Sequence, residues 1–404
     1  MCTCCRQGET ADYPQKKYRL ADFFDMHWEE YMKSPAEYVT PEQLKAVNAL
    51  RVCRTPVLGV DVYACRECGE ITEVFHSCKN RFCPTCSWQD TVRWAKRVKK
   101  RMLKVKHRHI VCTLPHSLNP LIERNKELLL SSLMRAAAGT FTNWFENKYR
   151  LKTGIISVLH TFGEKKHLHP HVHMIVSWGG VGIKSKVLKE IQSEFVNYDF
   201  LKNKFRCKFE DEIFHLYNKG ELVHDFPNII ALKKYIKHIN ENDWVLNLEP
   251  SMDTPEKVIR YVGRYSKRAC LSEYKITDIE GEYISFRYKD NRDRDENKKP
   301  KEKILRLHYR DFFPRLLQHV PPRYFRIVRY YGLYSNHGNI PQEYINNDEE
   351  TEEKTSIEVD YNPLYCETCK QEKVYDHSYY DRRSRKKRNT EKHSSMKQKI
   401  KQAA

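Results

Sequence analysis

The feature that most constrains this chain is a pair of cysteine knuckles. Cys65-x2-Cys68 and Cys83-x2-Cys86 are separated by fourteen residues. A C-x2-C turn brings two thiolates to one side, and two such turns complete a tetrahedral shell around one zinc ion at about 2.3 Å. The spacing predicts a structural Zn²⁺ held by Cys65, Cys68, Cys83 and Cys86. Gly69 behind the first knuckle and Pro84 inside the second suit tight turns. The bland alternative is four buried, reduced cysteines. Cys78, with His76 nearby, competes for one ligand place. Cys53 and the Cys2, Cys4, Cys5 cluster read as free thiols. Cys366-x2-Cys369 reads as an isolated pair that could close a small site with His377.

Disulfides are not the expected use of these cysteines. The N-terminal run Met1-Cys2-Thr3-Cys4-Cys5-Arg6 lacks the apolar stretch of a secretion signal. No run approaches the ~18 apolar residues of a membrane-spanning helix. Collagen, coiled coil, secreted knot and transporter are excluded. Lys plus Arg is 72 against 53 Asp plus Glu, a net charge of +19. Residues 381 to 404 carry ten of those cations and two acids, which still leaves +11 on the body. A basic body favours a polyanionic partner, most simply nucleic acid. Lys79, Arg81, Arg93, Lys96, Arg97 and the run Lys99 to Arg101 flank the knuckles and suit docking on phosphates.

The 404 residues suggest two or three domains. Residues 17 to 50 are expected to be helical, with Thr40-Pro41-Glu42 opening a second helix. A basic amphipathic helix is expected over 88 to 104, and further helices over 120 to 149, 184 to 201 and 254 to 268. Ile110 to Leu114, Ile155 to Phe162 and His171 to Trp178 read as strands. Residues 283 to 313 read as short strand-like pieces around a charged break, Lys289 to Lys303. The expected division is a helical segment at 1–52, a zinc-binding domain at 53–105, a larger mixed domain at 106–335, and a linker with a basic, disordered tail at 336–404. Strands interleaved with long helices suggest an α+β or α/β core.

Two constellations carry chemistry. His167-Leu168-His169-Pro170-His171-Val172-His173 places histidines at alternate positions. Pro170 interrupts a central strand, so the strand is expected to start at His171. His171 and His173 then share a face, and two imidazoles one pleat apart can chelate one ion. If the strand holding His160 pairs with this one, His160 can lie beside His171. Downstream, Tyr261 and Tyr265 sit at i and i+4 of a helix, with Arg260 and Arg264 in a second row. These tyrosines also fit a core stripe with Val258, Val262 and Ala269. The arginines favour the other reading: guanidiniums stabilise a phenolate and neutralise a phosphate under attack.

Taken together, these residues resemble the HUH single-strand endonucleases, specifically the two-tyrosine rolling-circle transposases of insertion sequences that begin with a zinc-binding domain. The resemblance runs from about residue 17 to residue 330. It rests on Cys53-Arg54-Thr55, Ser77 to Cys86, Thr113-Leu114-Pro115-His116, Leu159 to Gly163, His169 to His173, and Tyr261-Val262-Gly263-Arg264-Tyr265. It implies an α+β catalytic core, a central antiparallel sheet flanked by helices, behind the N-terminal module. It implies Mg²⁺ or Mn²⁺ on His171 and His173, with His160 as third ligand. Tyr261 or Tyr265 would attack single-stranded DNA at the element's ends, leaving a 5′-phosphotyrosine and a free 3′-OH. Arg260, Arg264, Lys267 and Arg268 would hold the DNA. A bacterial-type cytoplasmic, nucleoid-associated protein is implied. A replication initiator or relaxase with the same chemistry, and a zinc-dependent DNA-binding protein with an inactive core, are the competing functions.

Overall fold

The computed structural model describes residues 18–34, 38–239, 244–252, 269–345 and 364–381. The chain begins with α1 (Leu20–Lys33) and α2 (Pro41–Arg51), then β1 (Val60–Ala64), β2 (Ile71–Phe75) and α3 (Pro84–Lys99). Next come β3 (His107–Thr113), α4 (Asn119–Arg124), α5 (Lys126–Tyr149), β4 (Leu151–Lys152), β5 (Gly154–Phe162) and β6 (Leu168–Ser177). β7 (Gly179–Gly182), β8 (Leu188–Glu190), α6 (Tyr198–Asn218), α7 (Ile229–Ile239) and β9 (Val245–Leu248) follow. The last elements are β10 (Ile276–Glu280), β11 (Tyr283–Arg294), β12 (Pro300–His308), α8 (Tyr309–Leu317), β13 (Val328–Gly332) and β14 (Val374–Tyr379). The fold is α+β.

The centre is a five-stranded sheet in the order β13-β5-β6-β3-β9, antiparallel at every pairing. One face carries Ile110, Cys112, Ile155, Leu159, Val172, Met174 and Val176, packed under Leu133, Ala137, Phe141 and Phe145 of α5. Part of the other face, Ile156 and Ile175, is covered by Trp94 and Val98 of α3. The rest of that face is polar and forms the site described below.

β6 begins at Leu168, three residues before the expected start. Pro170 is accommodated because the β5–β6 register shifts there, between the His160–His171 and Phe162–Leu168 pairs. A proline at a bulge removes no ladder donor. The Pro170 carbonyl still accepts a bond from the Leu114 amide at 3.3 Å.

The two N-terminal helices pack into a shared apolar core. Thr40 Oγ1 accepts from the Gln43 amide at 3.2 Å while Gln43 Oε1 accepts from the Thr40 amide at 2.8 Å, a capping box that starts α2. Leu20, Phe23, Phe24, Trp28 and Tyr31 make the buried stripe of α1. That stripe packs on α8, where Phe24 stacks on Phe313 with centroids 4.3 Å apart. One apolar cluster joins α1, α2, Cys53, Phe82, Cys83 and Cys86 to β10, β11, β12 and α8. Residues 20–31, 46–53 and 82–86 thus share a core with residues 270–317.

Three further expectations are corrected. Residues 184 to 197 are not helical; β8 pairs with β7, which pairs with β4. Gly180 permits this close approach, since a Cβ there would collide with the Lys152 carbonyl. The helix starts at Tyr198, where the Asn197 side chain accepts from the Phe200 amide at 3.0 Å. The charged stretch 289–303 is the end of a β11–β12 hairpin, with a register shift between Asp290 and Arg294, rather than a break between separate pieces. Lys303 pairs with Asp290 at 3.1 Å and Asp293 at 2.8 Å, so the charges hold the strands together. Finally, residues 364–381 of the expected tail are ordered, and β14 completes a three-stranded sheet with β1 and β2.

Candidate functional site

The polar end of the sheet is built from three strands. Alternation on β6 sends Val172 and Met174 into the core and leaves His171 and His173 on the opposite face. The β5 register places His160 opposite His171, and Val158 opposite His173. The β3 register places Thr113, Val111 and His109 opposite His171, His173 and Ile175. One ring nitrogen from each of His160, His171 and His173 lies within 4.8 Å of the other two.

The orientation of these rings is fixed from behind. His171 Nδ1 donates to the His169 carbonyl at 2.7 Å, which leaves Nε2 with a lone pair in the neutral ring. His173 Nδ1 lies 2.9 Å from Nε2 of His109. Burial pulls His109 down to about 4. Burial, followed by the neighbouring imidazoles of His160, His171 and His109, holds His173 well below its ordinary value. Burial lowers His171 in the same way. At neutral pH these rings are uncharged, the state a metal ion requires. His109 was not singled out by sequence; its only signal is its place two residues into a strand that borders β6.

The histidines lie at the base of a cleft of about 1060 Å³. Lys165, Lys166, Lys275, Lys289 and Arg292 line it, against Glu164 and Asp290. Both acids are already paired: Glu164 meets Lys275 at 3.1 Å and Asp290 meets Lys303 at 3.1 Å. The cleft is therefore cationic. Lys166 is only 4% exposed, and burial lowers the pKa of its ammonium group. At the mouth, His116, His167 and His169 form a second group of three.

Tyr261 and Tyr265, with Arg260, Arg264, Lys267 and Arg268, lie outside the described residues. The chain on either side of them is placed. Met252 bridges to His107 at the start of β3. Ala269 and Cys270 line the histidine cleft.

The eight knuckle-region thiols do not assemble as the spacing suggested. Cys83 and Cys86 group with Cys53 and Cys78, while Cys65 and Cys68 group with Cys366 and Cys369. The two C-x2-C turns thus belong to different clusters, and the set Cys65, Cys68, Cys83, Cys86 is corrected. Cys53, expected as a free thiol, lies 3.5 Å from Cys86 and 3.6 Å from Cys83. Cys78 lies 3.6 Å from Cys86. His377 instead bonds Asp376 at 2.9 Å. A regular ZnS₄ tetrahedron with ~2.3 Å bonds has sulfur–sulfur edges of about 3.8 Å, whereas a disulfide is ~2.05 Å. The observed spacings fit the first.

An α+β protein with two four-cysteine clusters and an imidazole cluster in a cationic cleft is of a class that carries metal-ligand donor sets beside a surface suited to a polyanion. The comparisons make this specific. A family model described as "Putative transposase" matches residues 154–341. Another, described as "Transposase zinc-binding domain", matches residues 23–114. "Putative transposase y4qJ" of Sinorhizobium fredii is 31% identical over 328 residues, covering 78% of this chain and 80% of its own length. The transposase for insertion sequence element IS801 of Pseudomonas savastanoi pv. phaseolicola is 27% identical over 306 residues, 73% of this chain and 70% of its own. No solved structure matches the chain. The chain belongs to the IS91-type family of insertion-sequence transposases, with an N-terminal zinc-binding domain. Among the described residues, no helix is long and apolar enough to cross a membrane.

Proposed function

We propose that this transposase is a metal-dependent endonuclease and strand transferase that cuts single-stranded DNA at its element's ends and moves it by a rolling-circle route. The observation that carries the reading is the convergence of His160, His171 and His173 on one point at the base of a cationic cleft. Three imidazole nitrogens converging on one point can hold a divalent ion, with its remaining positions open to solvent or substrate. Mg²⁺ or Mn²⁺ held there would polarise the scissile phosphate and offset its charge.

The residues of the chain supply the rest. His109 and the His169 carbonyl keep the ligating rings in register. Lys165, Lys289 and Arg292, exposed along the cleft, receive the phosphate backbone. Tyr261 and Tyr265 are the proposed nucleophiles. Ala269, four residues after Tyr265 in the sequence, lines the cleft. The phenol gives up its proton and its oxygen bonds to phosphorus. The bond from phosphorus to the 3′ oxygen breaks, and that oxygen takes a proton. The product is a 5′-phosphotyrosine and a free 3′-OH, which reverses the step on another strand to rejoin it. Arg260, Arg264, Lys267 and Arg268 neutralise phosphates beside the nucleophiles. Cys53, Cys78, Cys83 and Cys86 would hold a structural zinc that fixes α3 against the first helices.

Nicking of labelled single strands from the element's ends tests this. EDTA should abolish it, Mn²⁺ or Mg²⁺ should restore it, and His171→Ala should respond to neither ion. Normal nicking by His171→Ala refutes the assignment.

A further inference from the structure

We infer that Cys65, Cys68, Cys366 and Cys369 bind a second structural zinc ion, distinct from the one at Cys53, Cys78, Cys83 and Cys86, and that this ion clasps the C-terminal segment to the zinc-binding domain. The inference stands independently of the nuclease chemistry.

The first argument is geometric. All four sulfurs lie within 4.8 Å of one another, and Cys68 Sγ is 3.6 Å from Cys366 Sγ across 298 positions of sequence. That spacing is near the tetrahedral edge and far from a disulfide.

The second argument is that the two turns are built alike. The Cys65 amide donates to the Glu70 carbonyl at 2.9 Å, and the Gly69 amide to the Cys65 carbonyl at 3.0 Å. The Cys366 amide donates to the Gln371 carbonyl at 2.8 Å, and the Lys370 amide to the Cys366 carbonyl at 2.9 Å. Gly69 and Lys370 occupy equivalent places, with φ of 70° and 55°. A lysine in this left-handed region is a strained choice that a metal-closed knuckle can hold. Two matching knuckles facing each other at the end of a small sheet form the arrangement of zinc ribbons.

The third argument is energetic. Of the strand Val374–Tyr379, five side chains are exposed and the sixth is half-buried. In segment 364–381 only Cys366 and Lys373 are buried. Lys373 pairs with Glu70 at 3.0 Å and donates to Thr72 at 2.7 Å. So little apolar burial does not hold an eighteen-residue segment in place. Metal binding to four thiolates, whose free energy is also folding free energy, supplies what burial does not. Lys373 is placed to offset part of the negative charge of such a centre.

The purified full-length protein, expressed with zinc, should contain two zinc equivalents by elemental analysis. In alkylation mass spectrometry, all eight cysteines should be protected until a chelator is added. Cys366→Ser with Cys369→Ser should lose one equivalent and keep the other. With a protease site engineered into 346–363, the cleaved fragment carrying 364–381 should co-purify with the body and separate on zinc removal. One equivalent or none in the wild-type protein, iron in place of zinc, or free alkylation of Cys366 and Cys369 before chelation would each overturn the inference. So would retention of both equivalents in the double variant. The alkylation pattern is read on the unmodified chain, so it decides the matter even if the variant fails to fold.

Discussion

Replacing His109 with phenylalanine should weaken metal binding at the imidazole cluster without unfolding the sheet. His109 is 2% exposed, and a phenyl ring fills nearly the same space. What is lost is the partner 2.9 Å from Nδ1 of His173. Either the buried His173 Nδ1–H is left without that acceptor, at about 1–3 kcal/mol, or the ring shifts its proton to Nε2 and gives up the ligating lone pair. Losses of this kind behind a metal ligand weaken affinity about 10–100-fold, or ~1.4–2.7 kcal/mol at 1.36 kcal/mol per decade. His109→Gln should recover part of the loss, since its amide oxygen can accept. The assay is calorimetric titration of Mn²⁺ into zinc-loaded protein at pH 7.5, with thermal denaturation as control. A Mn²⁺ Kd for His109→Phe within twofold of wild type, at an unchanged melting temperature, would refute the reasoning.

Acid should destabilise the fold before the carboxylates titrate. His107 is fully buried, its Nε2 lies 2.6 Å from the Tyr334 hydroxyl, and burial draws it down to about 4. Above pH ~6.5 both native and unfolded rings are neutral; between 6.5 and 4 only the unfolded ring takes a proton. Stability therefore falls as pH falls through that window by up to about 1.4 kcal/mol per pH unit per histidine, and the other histidines lowered by burial, His109 among them, add to the slope; a denaturant midpoint that stays flat from pH 7 to 5 contradicts this. Trp28→Ala should cost about 3–5 kcal/mol, because the ring packs on Phe24, Tyr31 and Phe313; a loss under 1 kcal/mol by urea denaturation would show that α1 is not part of the core. Cys83→Ser should lose the zinc held with Cys53, Cys78 and Cys86 and lower single-strand DNA affinity in a filter-binding assay, while Mn²⁺ titration of the histidine cluster stays unchanged.

Much of the histidine face was legible because β-strand alternation is local: once residues 155–162 and 168–177 pair, His160, His171 and His173 have no other side to occupy. The capping box at Thr40 was legible for the same reason. The thiolate sets were not. Spacing identifies a C-x2-C turn but not what closes it, and closure of Cys65 and Cys68 depends on β14 pairing with β1 from the far end of the chain. Cys53 follows α2 and Cys78 precedes the second knuckle, so neither belongs to a C-x2-C pair that would mark it as a ligand. With 14 cysteines in the chain, the division into two sets of four appears only in the fold. His109 was missed because only the β3–β6 register brings it behind His173. The stretch 184–197 misled through local composition, which the pairing of β8 with a glycine-rich strand overrode.

In the proposed reaction a tyrosine between Met252 and Ala269 in the sequence becomes covalently joined to DNA, and the histidine cluster controls the step. The direct measurement is denaturing gel electrophoresis of the protein after incubation with end-labelled single strands from its own element and Mn²⁺, followed by mass spectrometry of the labelled peptide. The account predicts a labelled adduct on Tyr261 or Tyr265. The adduct should be absent with EDTA, absent in His171→Ala, and absent in the Tyr261→Phe, Tyr265→Phe double variant, although that variant still folds and binds the strand. An adduct of undiminished yield in the double variant, or one mapped to another residue, would contradict it.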